Sequence, residues 1–313
     1  MIVDLSAYRS FVKSKVRLDE GRGFPCVPSE VNSWCKPFTR DIVAWAVRGG
    51  QRAVFAAFGL HKTVTQLEIL RLTLAKAGGG RGLIIAPLGV RQEFMHDAAK
   101  IGTSIRFIRS ISEADAEGIY ITNYETTRDG KLDPRQFKAV SLDEASILRG
   151  FGGTKTFREF MATIAGDDRR DKSNRVVGGG VAYRFVATAT PSPNEYIEIL
   201  AYAAFLGVMD VSAAKTRFFK RDSTKADHLT IHPHKEREFW LWVSSWAIFI
   251  QKPSDLGYDD AGYDLPPLDV RWHEVRTDHS NAGHERDGQG KLLRDTAIGL
   301  RDASREKRRS MAD

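Results

Sequence analysis

The chain has 313 residues, 42% of them hydrophobic, with a formal net charge of +7 and a pI near 9.3. That length and composition suit one large domain or two modest ones around an ordinary packed core. The positive excess points to a polyanionic partner, nucleic acid first, against the plainer reading of a merely basic soluble protein. Cys26 and Cys35 are too few for a disulfide framework and fit no zinc or redox spacing, which suits reduced thiols in a cytosolic protein. The first residues lack the apolar run of a signal peptide, and the most apolar stretch, 239–250, is too short to span a bilayer.

Residues 1–35 are mixed in character, with turn signals around Gly21, Gly23, Pro25 and Pro28. A helix is predicted over 38–47, with Ile42, Val43 and Ala46 on one face and Gly49–Gly50 ending it. Short apolar runs then alternate with amphipathic stretches. Strands are predicted at 53–56, 82–86, 104–108, 118–122, 139–142 and 183–187, and helices at 62–77 and 90–100. Such alternation implies a parallel sheet covered on both faces, with its chemistry at the carboxyl ends of the strands. From 211 to 250 the pattern reads as mostly helical, and 239–250, carrying Trp240, Trp242 and Trp246, reads as one buried helix. A Gly/Asp/Pro-rich stretch follows at 253–267, then a possible strand at 268–275, a polar segment at 277–290 and a charged helix with Arg301, Arg305, Lys307, Arg308 and Arg309.

Three motifs fall at predicted strand ends. The first runs from Ala56 to Thr63 and reads AAFGLHKT. Gly59, Leu60 and His61 supply a turn whose backbone N–H groups can close around phosphate oxygens. Lys62 supplies a cation for the outer phosphates and Thr63 a hydroxyl for magnesium, at the start of a helix. The usual pattern has glycine directly before the lysine, where His61 stands. Its imidazole must point away from the phosphates or the loop must shift; protonated, it would add a cation. A plainer reading is a decayed loop. The second motif, Asp143–Glu144 within LDEAS, puts adjacent carboxylates after an apolar strand, suited to a magnesium ion and an attacking water. An ordinary acidic turn has the same composition. The third, Thr188-Ala189-Thr190-Pro191, offers hydroxyls at the end of the next strand, though Thr-Pro turns are common.

Taken in order, these segments resemble the first lobe of superfamily-two motors. Ala86-Pro87-Leu88 resembles the family's nucleic-acid-contacting segment, and Ile121-Thr122-Asn123-Tyr124-Glu125 its Thr-x-Tyr-Glu segment. The stretch TATPSPN, 188–194, followed by 198–206, is similar to the Swi/Snf-like branch of DEAD/DEAH-type helicases. DEAS in place of DEAH is similar to phage-encoded members, whose setting would be the bacterial host cytoplasm. The resemblance spans about 36–257. It implies an α/β, RecA-like three-layer domain with a central parallel sheet flanked by helices, followed by a helical extension. It also implies ATP and Mg²⁺ as cofactors and DNA, duplex or single-stranded, as partner. By the same resemblance Lys62 binds β- and γ-phosphate, Thr63 and Asp143 hold Mg²⁺, Glu144 activates water, and Thr188 and Thr190 couple nucleotide state to DNA grip. Pro37-Phe38-Thr39-Arg40-Asp41 stands where the family recognises adenine, with Thr39 replacing an expected glutamine. Phe38 would pack on the base and Arg40 contact the nucleotide, or they are a core residue and a surface charge.

The expected organisation is an N-terminal segment (1–35), an ATP-binding lobe (36–208), a helical protrusion (209–262), and a linker with a basic helix (263–313) toward a second lobe. No second arginine-bearing strand set follows 257, so poor hydrolysis by this chain alone is expected. Lys215, Arg217, Lys220 and Arg221, interleaved with Phe218 and Phe219, suit phosphate contacts or a solvated face over an aromatic core. Residues 167–175 read as an exposed loop. His232 and His234 lack a third metal ligand, and His273, His279 and His284 lie in loose polar sequence. Two other readings stand beside the motor: a non-catalytic nucleic-acid-binding module on a degenerate RecA-like scaffold, and, less well matched, a small-molecule kinase with a phosphate loop.

Overall fold

The structure is a computed structural model that describes residues 18–149, 154–166, 179–192, 196–221, 229–263 and 269–272. Residues 1–17, the loop 167–175, Asn194, His273, His279, His284 and the basic stretch 301–309 lie outside the described residues, as does half of the possible strand at 268–275, whose described part, 269–272, is not a strand.

Seven parallel strands form one sheet: β1 (Gln51–Ala56), β2 (Arg81–Ala86), β3 (Ile105–Phe107), β4 (Gly118–Asn123), β5 (Ala139–Leu142), β6 (Tyr183–Thr188) and β9 (Ala247–Ile250). Their spatial order is β3-β4-β2-β5-β6-β1-β9. Residues alternate between the two faces with the period of two that strands impose. Val54, Ala56 and Ile84 pack under helices α1 (Pro37–Gly49), α2 (Lys62–Lys76) and α3 (Arg91–Lys100). Ala53, Phe55, Leu83, Ile85 and Leu142 face the opposite layer. That layer holds α5 (Lys155–Phe160), α6 (Ile199–Leu206), α7 (Val211–Phe218) and α8 (Glu236–Trp246), while the short α4 (Tyr124–Arg128) follows β4 directly. All six residues of β1 are buried, as a strand covered on both faces must be. This is the expected three-layer α/β architecture.

Local sequence sets the element ends. Pro37 starts α1, where its missing N–H costs no hydrogen bond. Gly50, at φ 70°, ends α1; a Cβ there would stand 2.8 Å from the backbone nitrogen of Gly23, so the chain crossing requires glycine. Asp210 caps α7 by accepting from the N–H groups of Ser212 and Ala213.

The region after 208 departs from the helical reading. Strands β7 (Phe219–Arg221) and β8 (Leu229–Ile231) form an antiparallel pair. The stretch 239–250 is not one helix: α8 ends at Trp246, and Ala247–Ile250 becomes β9, parallel to β1. The physical reason is composition. Phe239, Trp242, Val243 and Trp246 share a helical face that fills the second layer, whereas Ala-Ile-Phe-Ile has the strand preference to extend the sheet. The described residues up to Tyr263 form one compact unit. Among the described residues no helix is long and apolar enough to cross a membrane.

Candidate active site

Strands β5, β6 and β1 are neighbours in the sheet, so their carboxyl ends bring the three motifs to one place. The loop between β1 and α2 begins with the Ala57 N–H donating to the Ile250 carbonyl, 2.9 Å, so the unanticipated strand β9 supports it. Gly59 sits at φ 82°, and a Cβ built there meets no atom within 4 Å, which leaves the inside of the turn open. Leu60 anchors the loop in the core. His61 takes φ 55° and ψ 33° as the residue before α2, a left-handed conformation that glycine would adopt without strain.

The His61 imidazole turns toward an aromatic group. Nε2 lies 3.2 Å from the Tyr263 hydroxyl, and the ring packs near Trp34, Phe38 and Tyr263 at centroid distances of 6.1, 6.2 and 6.1 Å. Burial, with help from the Lys36 cation, pushes its pKa below the ordinary histidine value. The shift favours the neutral ring over the cation. Lys62 Nζ donates to the carbonyls of Ala56 and Ala57, both at 3.0 Å, and lies 5.1 Å from the centre of the exposed Phe58 ring. Burial lowers its pKa, opposed by the carboxylates of Glu144, Asp143 and Glu93. Thr63 Oγ1 donates to Glu93 Oε1 at 3.1 Å, linking the loop to α3.

At the end of β5, Asp143 is buried, 7% exposed. Its Oδ1 accepts from Gln66 Nε2 at 2.7 Å, and the Ser141 hydroxyl donates to Gln66 Oε1 at 2.7 Å. Burial raises the Asp143 pKa to about 6, with Gln66 and Lys62 holding it down and Glu144 pushing it up. Glu144 takes φ 45°. Its Oε2 accepts from Thr188 Oγ1 at 3.2 Å, and Thr188 Oγ1 accepts from the Thr190 N–H at 3.2 Å. The buried Tyr124 hydroxyl donates to the Asp143 carbonyl and lies 3.3 Å from that of Glu144. Desolvation raises the Tyr124 pKa, so it stays a donor. Among the described residues, His61 and Glu144 are the two non-glycine residues with positive φ. Both stand in this one site, where strain is held by its surroundings.

The other expected residues are placed as follows. Asn123 accepts from Thr126 and donates to Glu125 at 2.9 Å, so it organises the start of α4. Pro87 is half-buried and opens the turn Leu88–Val90, whose Leu88 is exposed. Phe38 is a core residue, 2% exposed, packed on His61, Tyr258 and Tyr263. Arg40 donates to the carbonyls of Cys35 at 2.8 Å and Ser33 at 2.6 Å, fastening the preceding turn to α1. Thr39 is fully buried. His232 and His234 have ring centroids 5.2 Å apart, and no cluster of three or more metal-binding His, Cys, Asp or Glu side chains occurs among the described residues. Gln66, Ser141, Glu93 and Tyr263 belong to the site without a motif to announce them. The usable signal for Gln66 is a polar residue one turn after Lys62, beside the buried Val64, Leu67 and Leu70.

Two solved structures share this arrangement of elements. The SWI2/SNF2 ATPase core of Sulfolobus solfataricus in complex with dsDNA matches with a TM-score of 0.56 and 17% identity, over 76% of this chain and 48% of that one. The Sulfolobus solfataricus SWI2/SNF2 ATPase core domain matches with a TM-score of 0.53 and 18% identity, over 80% and 50%. The fold is a RecA-like α/β fold, similar to part of these two ATPase cores. The chain spans about half the length of these two structures. The UvsW helicase from bacteriophage T4 aligns at 15% identity over 64% of this chain and 66% of that one, with a TM-score of 0.39, too low for a shared fold to be read from it. No family model and no curated protein matches the sequence.

Proposed function

We propose that this chain is the ATP-binding first motor lobe of a DNA helicase or translocase of the superfamily-two, Swi/Snf-like type. It would hydrolyse ATP with Mg²⁺ to move on or unwind DNA, in concert with a second RecA-like lobe in cis or in trans. The observation that carries the reading is the convergence of the two strained residues, His61 after β1 and Glu144 after β5, on either side of the end of β6 and beside Lys62 and Asp143. A scaffold without a ligand has no reason to hold left-handed non-glycine backbone at both places, each costing about 1–2 kcal/mol. The similarity to a core crystallised with dsDNA supports DNA as the partner, and the phage-type DEAS box supports the host cytoplasm as the setting.

The residues fit the proposed nucleotide. The open inside of the Gly59 turn leaves room for phosphate oxygens, and the donor set of one hydroxyl and one carboxylate is all oxygen, as Mg²⁺ prefers. Bound Mg-ATP would supply the phosphoryl group and the charge that neutralises it in transfer. Lys62 would exchange the carbonyls of Ala56 and Ala57 for phosphate oxygens, which are better partners for an ammonium. Thr63 and Asp143 would hold the metal. Glu144, oriented by the Thr188 hydroxyl, would take the proton from the attacking water. Because Thr188 also binds the Thr190 N–H, a change at Glu144 would be passed to the segment leaving β6.

The alternative, a nucleic-acid-binding module on a degenerate scaffold, draws on His61 in place of glycine. The imidazole's bond to Tyr263 weakens that objection, since the side chain is directed into the aromatic group. The deciding experiment is calorimetry of Mg-ATP with the wild-type chain and with Lys62→Ala, without and with duplex DNA. Binding by wild type that is lost in Lys62→Ala supports the motor reading. DNA binding with no ATP binding in either protein overturns it in favour of the scaffold.

A further inference from the structure

Gln66 is 2% exposed, and the next residues along its helical face, Ile69 and Leu70, are buried as well. Placing an amide there has a desolvation cost of several kcal/mol unless both of its ends are bonded. Both are: Nε2 to Asp143 Oδ1 and Oε1 to the Ser141 hydroxyl, each at 2.7 Å and each buried. The direction of the amide follows from chemistry. An ionised carboxylate only accepts, so the nitrogen must face Asp143 and the oxygen must face Ser141. The Ser141 hydroxyl, two residues upstream of Asp143, holds the other end of the amide by donating to Oε1. Gln66 also lies one helical turn after Lys62, so it ties the helix that carries the lysine to the strand that carries the acid.

We infer that Gln66 is a positioning residue that fixes the Asp143 carboxylate for a divalent cation, with Ser141 holding the far end of its amide. This rests on the nucleotide-binding reading above. A packing role alone would be served by leucine or methionine at this position with no buried polar chain. A chain of two short, oriented hydrogen bonds ending on the one buried acid of the site serves the acid. Partners of this kind commonly change metal affinity when removed while leaving the remaining ligands in place.

The test measures metal and nucleotide separately. Mn²⁺ uptake is followed by electron paramagnetic resonance with a non-hydrolysable ATP analogue present. Binding of a fluorescent ATP analogue is followed in EDTA, with no metal. Circular dichroism checks the fold of each variant. Gln66→Met keeps the volume and removes both hydrogen bonds; Ser141→Ala removes only the bond to Gln66 Oε1. The expected result for Gln66→Met is Mn²⁺ affinity lower by about 10-fold with metal-free nucleotide affinity unchanged. Ser141→Ala should show a smaller loss of the same kind, and it decides the matter alone if Gln66→Met does not fold. Unchanged Mn²⁺ affinity in a folded variant, or metal-free binding that falls in parallel with it, would overturn the inference. A wild-type chain that binds nucleotide in EDTA but takes up no Mn²⁺ also overturns it while leaving the phosphate loop standing. One that binds neither removes the nucleotide-binding reading itself.

Discussion

The two strained turns of the site are built differently. Glu144 is held at φ 45° from several sides: Tyr124 from the end of β4 bonds the backbone carbonyls on either side of it, Thr188 from the end of β6 bonds its side chain, and Gln66 from α2 bonds the neighbouring Asp143. His61 takes φ 55° with its carbonyl bonded only from within its own helix, by the Thr65 hydroxyl and N–H, and its ring is held by packing among aromatic rings and by a hydrogen bond with Tyr263, well past the last strand of the sheet. The acidic turn is thus fixed by the sheet that creates it, and the phosphate loop by a segment that reaches back to it. Rigidity suits a carboxylate that must meet one water in one orientation. A loop that must admit and release a charged ligand is better served by a looser hold.

This contrast predicts a graded set of effects. The largest belongs to Glu144→Gln. The amide oxygen can still accept from Thr188, so the turn keeps its geometry while the base is lost. ATP turnover should fall by about 10²–10⁴-fold with nucleotide affinity retained, read from phosphate release and calorimetry on the same protein. Comparable losses of turnover and affinity would mean that Glu144 holds the ligand and does not act on water. Next comes Tyr124→Phe, which strips a buried donor from two carbonyls in a strained turn. Urea denaturation should show a loss of about 1–3 kcal/mol. A variant as stable as wild type would show that the acidic turn is not pinned from β4 and would dissolve the comparison.

The same contrast explains what the sequence reveals and what it hides. Asp143, Glu144, Tyr124 and Thr188 are legible because each partner of the acidic turn lies in a strand-end motif of its own, in the order ITNYE, AVSLDEAS and TATP at the ends of β4, β5 and β6. Lys62 and Thr63 are legible from the strand-to-helix junction. Tyr263 is not, because no periodicity or motif connects the Gly/Asp/Pro-rich stretch after 253 with residue 61. β9 is hidden for a related reason. Four apolar residues following an apolar helix continue the same pattern, and only pairing with β1 separates Ala247 from Trp246. Phe38 illustrates the opposite failure: an aromatic side chain at a helix start invites a base-stacking role, and its burial beneath Tyr258 and Tyr263 follows from the segment that could not be foreseen.

The smaller effects fall on the looser turn. Tyr263→Phe removes the hydrogen bond to the His61 imidazole but keeps the ring, so it should cost about 0.5–1.5 kcal/mol in urea denaturation, less than Tyr124→Phe. His61→Gly sets two contributions against each other. Glycine relieves a left-handed conformation worth about 1–2 kcal/mol. It also forfeits the packing of a half-buried imidazole and adds freedom to the unfolded chain, a loss of about 0.4–1 kcal/mol. The net change in stability should therefore be small, within about 1 kcal/mol either way. Nucleotide affinity separates the two readings of this residue. If His61 merely tolerates its place, with the imidazole directed at Tyr263, then His61→Gly should bind Mg-ATP at least as tightly as wild type. If affinity falls sharply, the imidazole and its aromatic neighbours form part of what the ligand touches. The looser hold would then be a feature of recognition, and not a substitute for the missing glycine.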